Sequence, residues 1–191
     1  ADYIPPEHAI QRRIRSVIAQ FADVPSEEIA VAIDGCSAPV FGVSILAMAR
    51  SYARLIGIHN TNLKREFGEA AERVFEAMIE FPELVGGTCG RLDTDLMRVA
   101  RGQILSKVGA EGVQLLGVKA CAKFPNGLGI AIKIEDGDTR RARDPVVVET
   151  LRQLGLLDEN QLAQLSNYSR VTIFNHRKIE VGEIHTCFKL L

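Results

Sequence analysis

The chain has 191 residues, 47% of them hydrophobic and 25% charged, with a formal net charge of −1. A chain of this length can bury about 70% of its unfolded surface, and the near-zero charge gives no electrostatic pull towards nucleic acid or an anionic membrane. No apolar run approaches the ~18 residues of a spanning helix and no signal-peptide pattern is visible, so the expected setting is the cytoplasm, with neither a nucleic-acid nor a membrane partner.

In chain order, Pro5 and Pro6 precede EHAIQRRIRSVIAQF, where Ile10, Ile14, Val17, Ile18 and Phe21 recur at helical spacing. VPSEE is a turn, and Ile29 to Ile33 reads as a short buried strand. A second helix covers 43–57 with Leu46, Ala49, Ala53 and Ile56 inward. A third runs from Asn62 to about Phe81 with Leu63, Phe67, Ala70, Val74 and Met78 inward. VGGTCGRLDTDLMRVA is a glycine-rich loop entering a short helix, and GQILSKVGAEGVQLLGV gives two strands about a turn. GIAIKIEDGD alternates as a strand should, and Asp144-Pro145 predicts an N-cap followed by proline at the first helical position. Asp158 with Gln161 predicts a capping box, and RVTIF and KIEVGEI are closing strands. Helices interleaved with short strands predict a mixed α/β (α+β) fold of helices on a mainly antiparallel sheet, with residues 1–191 as one domain or the C-terminal portion of a larger one. The start at Ala1, close to helical sequence, is what a segment of a longer polypeptide would show.

Three stretches can carry chemistry. In VAIDGCSAPVF, Asp34 and Cys36 stand where a strand runs out; a carboxylate there is costly to bury without a partner. Cys36 can be a nucleophile, a metal ligand or a small apolar side chain under a turn. In SKVGAEG, Lys107 ends an apolar strand, and partial desolvation would let a neutral amine act as base towards a serine. Ser106 cannot be that serine, because strand neighbours point to opposite faces. In GGTCGRLDTD, Arg91 can grip a carboxylate or tie down its own loop through Asp93 or Asp95. Cys36, Cys89, Cys121 and Cys187 form no CxxC pair, and His8, His59, His176 and His185 show no ligand spacing.

The motifs HAIQRRI, IDGCSAPVF, GGTCGRLDTDLM, SKVGAEGVQLLGV, GIAIKIEDGD and VGEI occur in one order, from about His8 to Glu183. That order resembles the rhizobial-type, zinc-dependent, thermolabile L-asparaginases of the asparaginase II family, and the chain resembles their C-terminal half only. The family's N-terminal half carries an Arg-Ser-x-x-Lys stretch, a second serine in a Ser-His-Ser-Gly-type segment and a Cys-x-x-Lys pair, none of which is found here. The resemblance implies a fold similar to serine β-lactamases and glutaminases and hydrolysis of L-asparagine to L-aspartate and ammonia by Ser-Lys chemistry. It implies Lys107 as catalytic base, Asp34 as substrate-orienting acid and Cys36 as a ligand of Zn2+ whose remaining ligands lie outside this chain, in a full-length homodimer. GGTCGR is one residue longer than the family run, which leaves Cys89 and Arg91 without an implied role.

Two expectations follow. The chain alone should lack asparaginase activity, and it should leave apolar faces uncovered. One alternative is a zinc-binding or interaction domain that kept the fold without the chemistry. Another is a free-standing amidohydrolase with Cys36 as nucleophile.

Overall fold

A computed structural model describes residues 3–190. The chain forms two compact units. One comprises the residues up to Phe75 together with Gly117–Ala131; the other comprises Glu76–Leu116 and the residues from Ile132 onward. The architecture is mixed α+β, with eight α-helices among the described residues and three small sheets of two, three and two strands.

In the first unit, α1 (Ala9–Ala22) starts where the His8 side chain accepts the Ile10 N–H and ends at Asp23 in the left-handed region. Hairpin β1 (Ala30–Ile33) and β2 (Pro39–Gly42) follows, antiparallel, with Val31 opposite Phe41. Helix α2 (Ile45–Ile56) is capped by Ser44, whose hydroxyl accepts the Ala47 N–H. It reaches back to close the end of α1: Arg54 donates to the Gln20 carbonyl at 2.6 Å and pairs with Asp23, and Arg50 donates to the Ala22 carbonyl. Ile58, Leu63 and Ala71 of the α2–α3 region (α3, Lys64–Glu80) form a core on which Phe21, Leu55 and Phe67 pack, with the two phenyl rings edge to face.

The three long amphipathic helices exist where periodicity predicts them, but their buried faces differ in part. Their buried positions are Gln11, Ala19 and Ala22 in α1, Ala47 in α2, and Gly68, Ala71 and Phe75 in α3. Ile10, Ile14, Leu46 and Val74, expected inward, are exposed. Leu63, Phe21 and Phe67 pack inward as expected; elsewhere small side chains let backbones approach closely, so Ala and Gly positions pack where larger aliphatic ones stay outside. β1 is likewise not a buried strand, with Ile33 56% exposed. Val40 and Ile45 add to this uncovered apolar surface.

In the second unit, α4 (Pro82–Gly86) and α5 (Leu92–Val99) lead into β3 (Ile104–Gly109), which turns through Ala110–Gly112 into β4 (Val113–Val118). Gly112 takes φ +69°, and a side chain there would meet Ile134 and Gly137. The strand β5 (Leu128–Lys133) completes the order β3-β4-β5, and the chain changes unit within β4 and again within β5. Asp144 does not cap a helix as expected. Asp138 caps a π-helical turn, Thr139–Arg143, and α6 (Asp144–Gln153) continues from it with Pro145 in its first turn. The capping box at Asp158 and Gln161 is complete and opens α7 (Glu159–Gln164); α8 (Ser166–Ser169) and the exposed hairpin β6 (Val171–Phe174) and β7 (Glu180–Ile184) follow. Leu92, Leu96, Leu105, Val147, Leu151 and Leu165 are fully buried in this unit. No helix among the described residues is long and apolar enough to cross a membrane.

Candidate active site

Asp34 and Cys36 lie on the tip joining β1 to β2. Asp34 Oδ1 accepts the backbone N–H of Cys36 at 2.8 Å and of Ala38 at 3.1 Å, while Ser37 takes φ 64°. Asp34 therefore organises the turn that presents Cys36, an Asx-type arrangement, and both side chains are exposed. Because Asp34 is exposed, the burial cost expected of it does not arise, and its two backbone bonds come from its own loop.

A zinc site takes four donors as a rule. The tip offers one thiol and one carboxylate, and the carboxylate already holds two N–H groups. Among the described residues no group of three or more His, Cys, Asp or Glu side chains could hold a metal ion. These donors do not make up a zinc centre by themselves.

Lys107 belongs to the second unit. It is half-buried on β3, and its Nζ donates to the Val108 carbonyl at 2.7 Å. Ser106 is turned the other way and fully buried, as the strand parity predicts. The structure thus brings Asp34 and Cys36 onto one hairpin tip and places Lys107 in the other unit.

What holds β3 in place is a buried polar cluster. Asp93, in the first turn of α5, is 2% exposed. Its Oδ1 accepts the Ser106 hydroxyl at 2.6 Å and Gln114 Nε2 at 2.8 Å; its Oδ2 accepts the Val108 N–H at 2.9 Å. Gln114 also donates to Ser106 Oγ at 2.9 Å, while its Oε1 is buried without a partner. The carboxylate thus bonds the residues on both sides of Lys107 and fixes the lysine's backbone. Sequence reasoning missed this cluster, although a signal existed. Ser106 and Gln114 occupy inward parity, alongside Ile104 and Leu116, where a polar side chain must find a buried partner.

Arg91 does tie down its own loop, but through the Gly86 carbonyl at 2.6 Å and not through either aspartate. Gly87 at φ +104° packs against its side-chain stem. Thr94 completes the loop by donating to the Gly87 carbonyl at 2.6 Å. Asp95 instead accepts the Tyr168 hydroxyl, and burial together with that bond raises the tyrosine's pKa. Cys89 and Cys187 are exposed and Cys121 is partly buried. His59 pairs with Glu72, and His185 lies 3.4 Å from Glu183.

The family model described as L-asparaginase II matches residues 1–186, and the chain belongs to the L-asparaginase II family. Asparaginase-like amide hydrolysis, with asparagine as substrate, is the function that this membership supports. No curated protein matches the chain.

Proposed function

We propose that the chain supplies the general base and a substrate-orienting acid of an L-asparagine amidohydrolase that works through a Ser-Lys pair. The observation that carries this reading is the family match over residues 1–186, which includes Asp34, Cys36 and Lys107. A serine hydroxyl adds to the side-chain carbonyl carbon of asparagine while Lys107 takes its proton. The carbon–nitrogen bond then breaks, the proton leaves on ammonia, and an aspartyl ester remains. Water, deprotonated by Lys107, cleaves the ester and releases aspartate. Ser106 is committed to Asp93 and Gln114 and faces away, so the serine that Lys107 serves is another one, the family's second serine in its Ser-His-Ser-Gly-type segment. Asp34 orients the substrate. Cys36 is the thiolate through which zinc would be shared with donors from another segment, and no step of the reaction runs through the metal. The working assembly is a cytoplasmic homodimer.

The test combines this chain with a polypeptide carrying the family's N-terminal half, with both its Arg-Ser-x-x-Lys and its Ser-His-Ser-Gly-type segments, and measures ammonia release from L-asparagine. Activity is expected only in the combination and should fall by about 100-fold or more for Lys107→Ala, the usual scale of general-base loss. Full turnover by the chain alone, or an unaffected Lys107→Ala, would overturn the assignment. A second reading, an interaction domain without the chemistry, is favoured by the exposed Ile33, Leu46 and Phe174. It predicts that the two polypeptides associate yet release no ammonia.

A further inference from the structure

The second unit contains a cavity of about 730 Å³ bounded by α5, the π-helical turn, α6, α8 and β6. Its size is that of a small-molecule site, and none of Asp34, Cys36 or Lys107 lines it. Its walls carry opposite charges. On one side stands Asp144, only 7% exposed. Arg143 directs both its Nε and its Nη2 onto the Oδ1 of Asp144, which leaves the other carboxylate oxygen outside that pair. Burial pushes the Asp144 pKa up against the opposing effect of Arg143 and Arg140, so a further cation beside the carboxylate would favour its ionised form. Tyr168 lines the same cavity; it donates its proton to Asp95, so its oxygen is left as an acceptor.

Arg140 and Arg170 supply the opposite sign. In the run Arg140, Arg141, Arg143, the second pairs with Asp136 and Asp138 and the third with Asp144. Arg140 forms no ion pair among the described residues and acts on Asp144 only as a charge through space. Arg170 reaches Glu183 at 3.5 Å, the limit of a hydrogen bond, with its side chain 70% exposed. Two weakly engaged guanidiniums and a carboxylate with one oxygen outside its ion pair thus line one concavity without closing on each other. A ligand complementary to that pattern carries both signs over a few ångströms.

We propose that this cavity binds a small zwitterionic amino acid, its ammonium on Asp144 and the Tyr168 oxygen, its carboxylate held by Arg140 and Arg170. Planar guanidiniums suit a carboxylate through paired N–H donors, and the ammonium supplies that further cation beside Asp144. The site is additional to the residues of the proposed hydrolysis and does not rest on them.

Isothermal calorimetry on the whole chain tests this with L-aspartate as probe and succinate as the matched dicarboxylate without an ammonium. L-Aspartate should bind and succinate should bind at least tenfold more weakly. Arg140→Gln and Arg170→Gln, both at exposed positions and checked by thermal melting, should each weaken L-aspartate about tenfold, the loss of one charge-assisted contact. Lys107→Ala and Cys36→Ser should leave this binding unchanged whether or not ammonia release depends on them, which separates this site from the hydrolytic one. Absence of binding up to about 10 mM, equal binding of succinate, indifference to both arginine substitutions, or loss of binding in Lys107→Ala would each overturn the proposal.

Discussion

Asp93→Ala tests the cluster that holds β3. The substitution removes an acceptor of three hydrogen bonds, from Ser106, Gln114 and Val108. Bonds to a charged acceptor contribute roughly 1.5–3 kcal/mol each. Part of the loss is recoverable: the Gln114 amide can turn so that its unpartnered Oε1 accepts the Ser106 hydroxyl, and removing a buried charge relieves its desolvation. The Val108 N–H has no such substitute, and a cavity remains where the carboxylate stood. The net destabilisation should be about 3–5 kcal/mol, the range for breaking a buried charged network from one side.

Asp93→Asn should behave differently. Its carbonyl can accept the Val108 N–H and its amide can donate to Ser106 Oγ, while Ser106 donates to the turned Gln114. The Ser106 and Val108 donors are then satisfied, but the turned Gln114 N–H groups stand where Oε1 now lies without a partner, so the cost should be about 2 kcal/mol. Urea denaturation followed by circular dichroism distinguishes the two. With a slope near 2 kcal/mol/M, Asp93→Ala should lower the midpoint by about 2 M and Asp93→Asn by about 1 M. Equal losses for the two substitutions, or less than about 1 kcal/mol for alanine, would refute the argument that hydrogen-bond satisfaction rather than charge governs this site.

Two further predictions concern packing and protons. A Cβ at Gly129 would stand 1.9 Å from the Ala49 carbonyl oxygen and 2.6 Å from the Ala53 nitrogen, so Gly129→Ala must push β5 off α2. It should cost about 3 kcal/mol in denaturant melts, whereas Gly35→Ala, which meets nothing within 4 Å, should stay within about 0.5 kcal/mol; a tolerated Gly129→Ala would contradict the close approach. Burial raises Asp144 above its ordinary value of 3.8, so the folded chain holds that proton more tightly than the unfolded one. Its contribution is fully present below pH 3.8 and is lost as pH rises through the folded pKa. Stability relative to Asp144→Asn should therefore fall between about pH 3 and pH 6 in paired melts, and a rise would show that Arg143 outweighs desolvation.

Elements were legible where local chemistry decides them. The Asp158–Gln161 box needs only its own residues, and the apolar periods of α1, α2 and α3 mark helices whatever covers them. Which face is covered was not legible. α3 buries Gly68, Ala71 and Phe75 and leaves Val74 exposed, and period alone does not rank a tight small-residue contact above a larger aliphatic one. β2 was hidden by Pro39, which reads as a breaker yet sits at the first position of an edge strand, where no ladder donor is needed. At the site, the sequence marks Asp34, Cys36 and Lys107 as chemically unusual, but only the fold shows Asp34 holding its own turn. The charged cavity was likewise illegible, because Asp95, Arg140 and Tyr168 are far apart along the chain.

The guanidiniums that α2 lays over the last carbonyls of α1 also bear on dynamics. A helix terminus normally opens and closes ahead of everything else. Here the acceptors at that terminus are held by a neighbouring segment, so release of one requires displacement of the other. Solvent deuterium should therefore reach the final turn of α1 no sooner than it reaches the middle of α2, and the pair should melt as a single cooperative block.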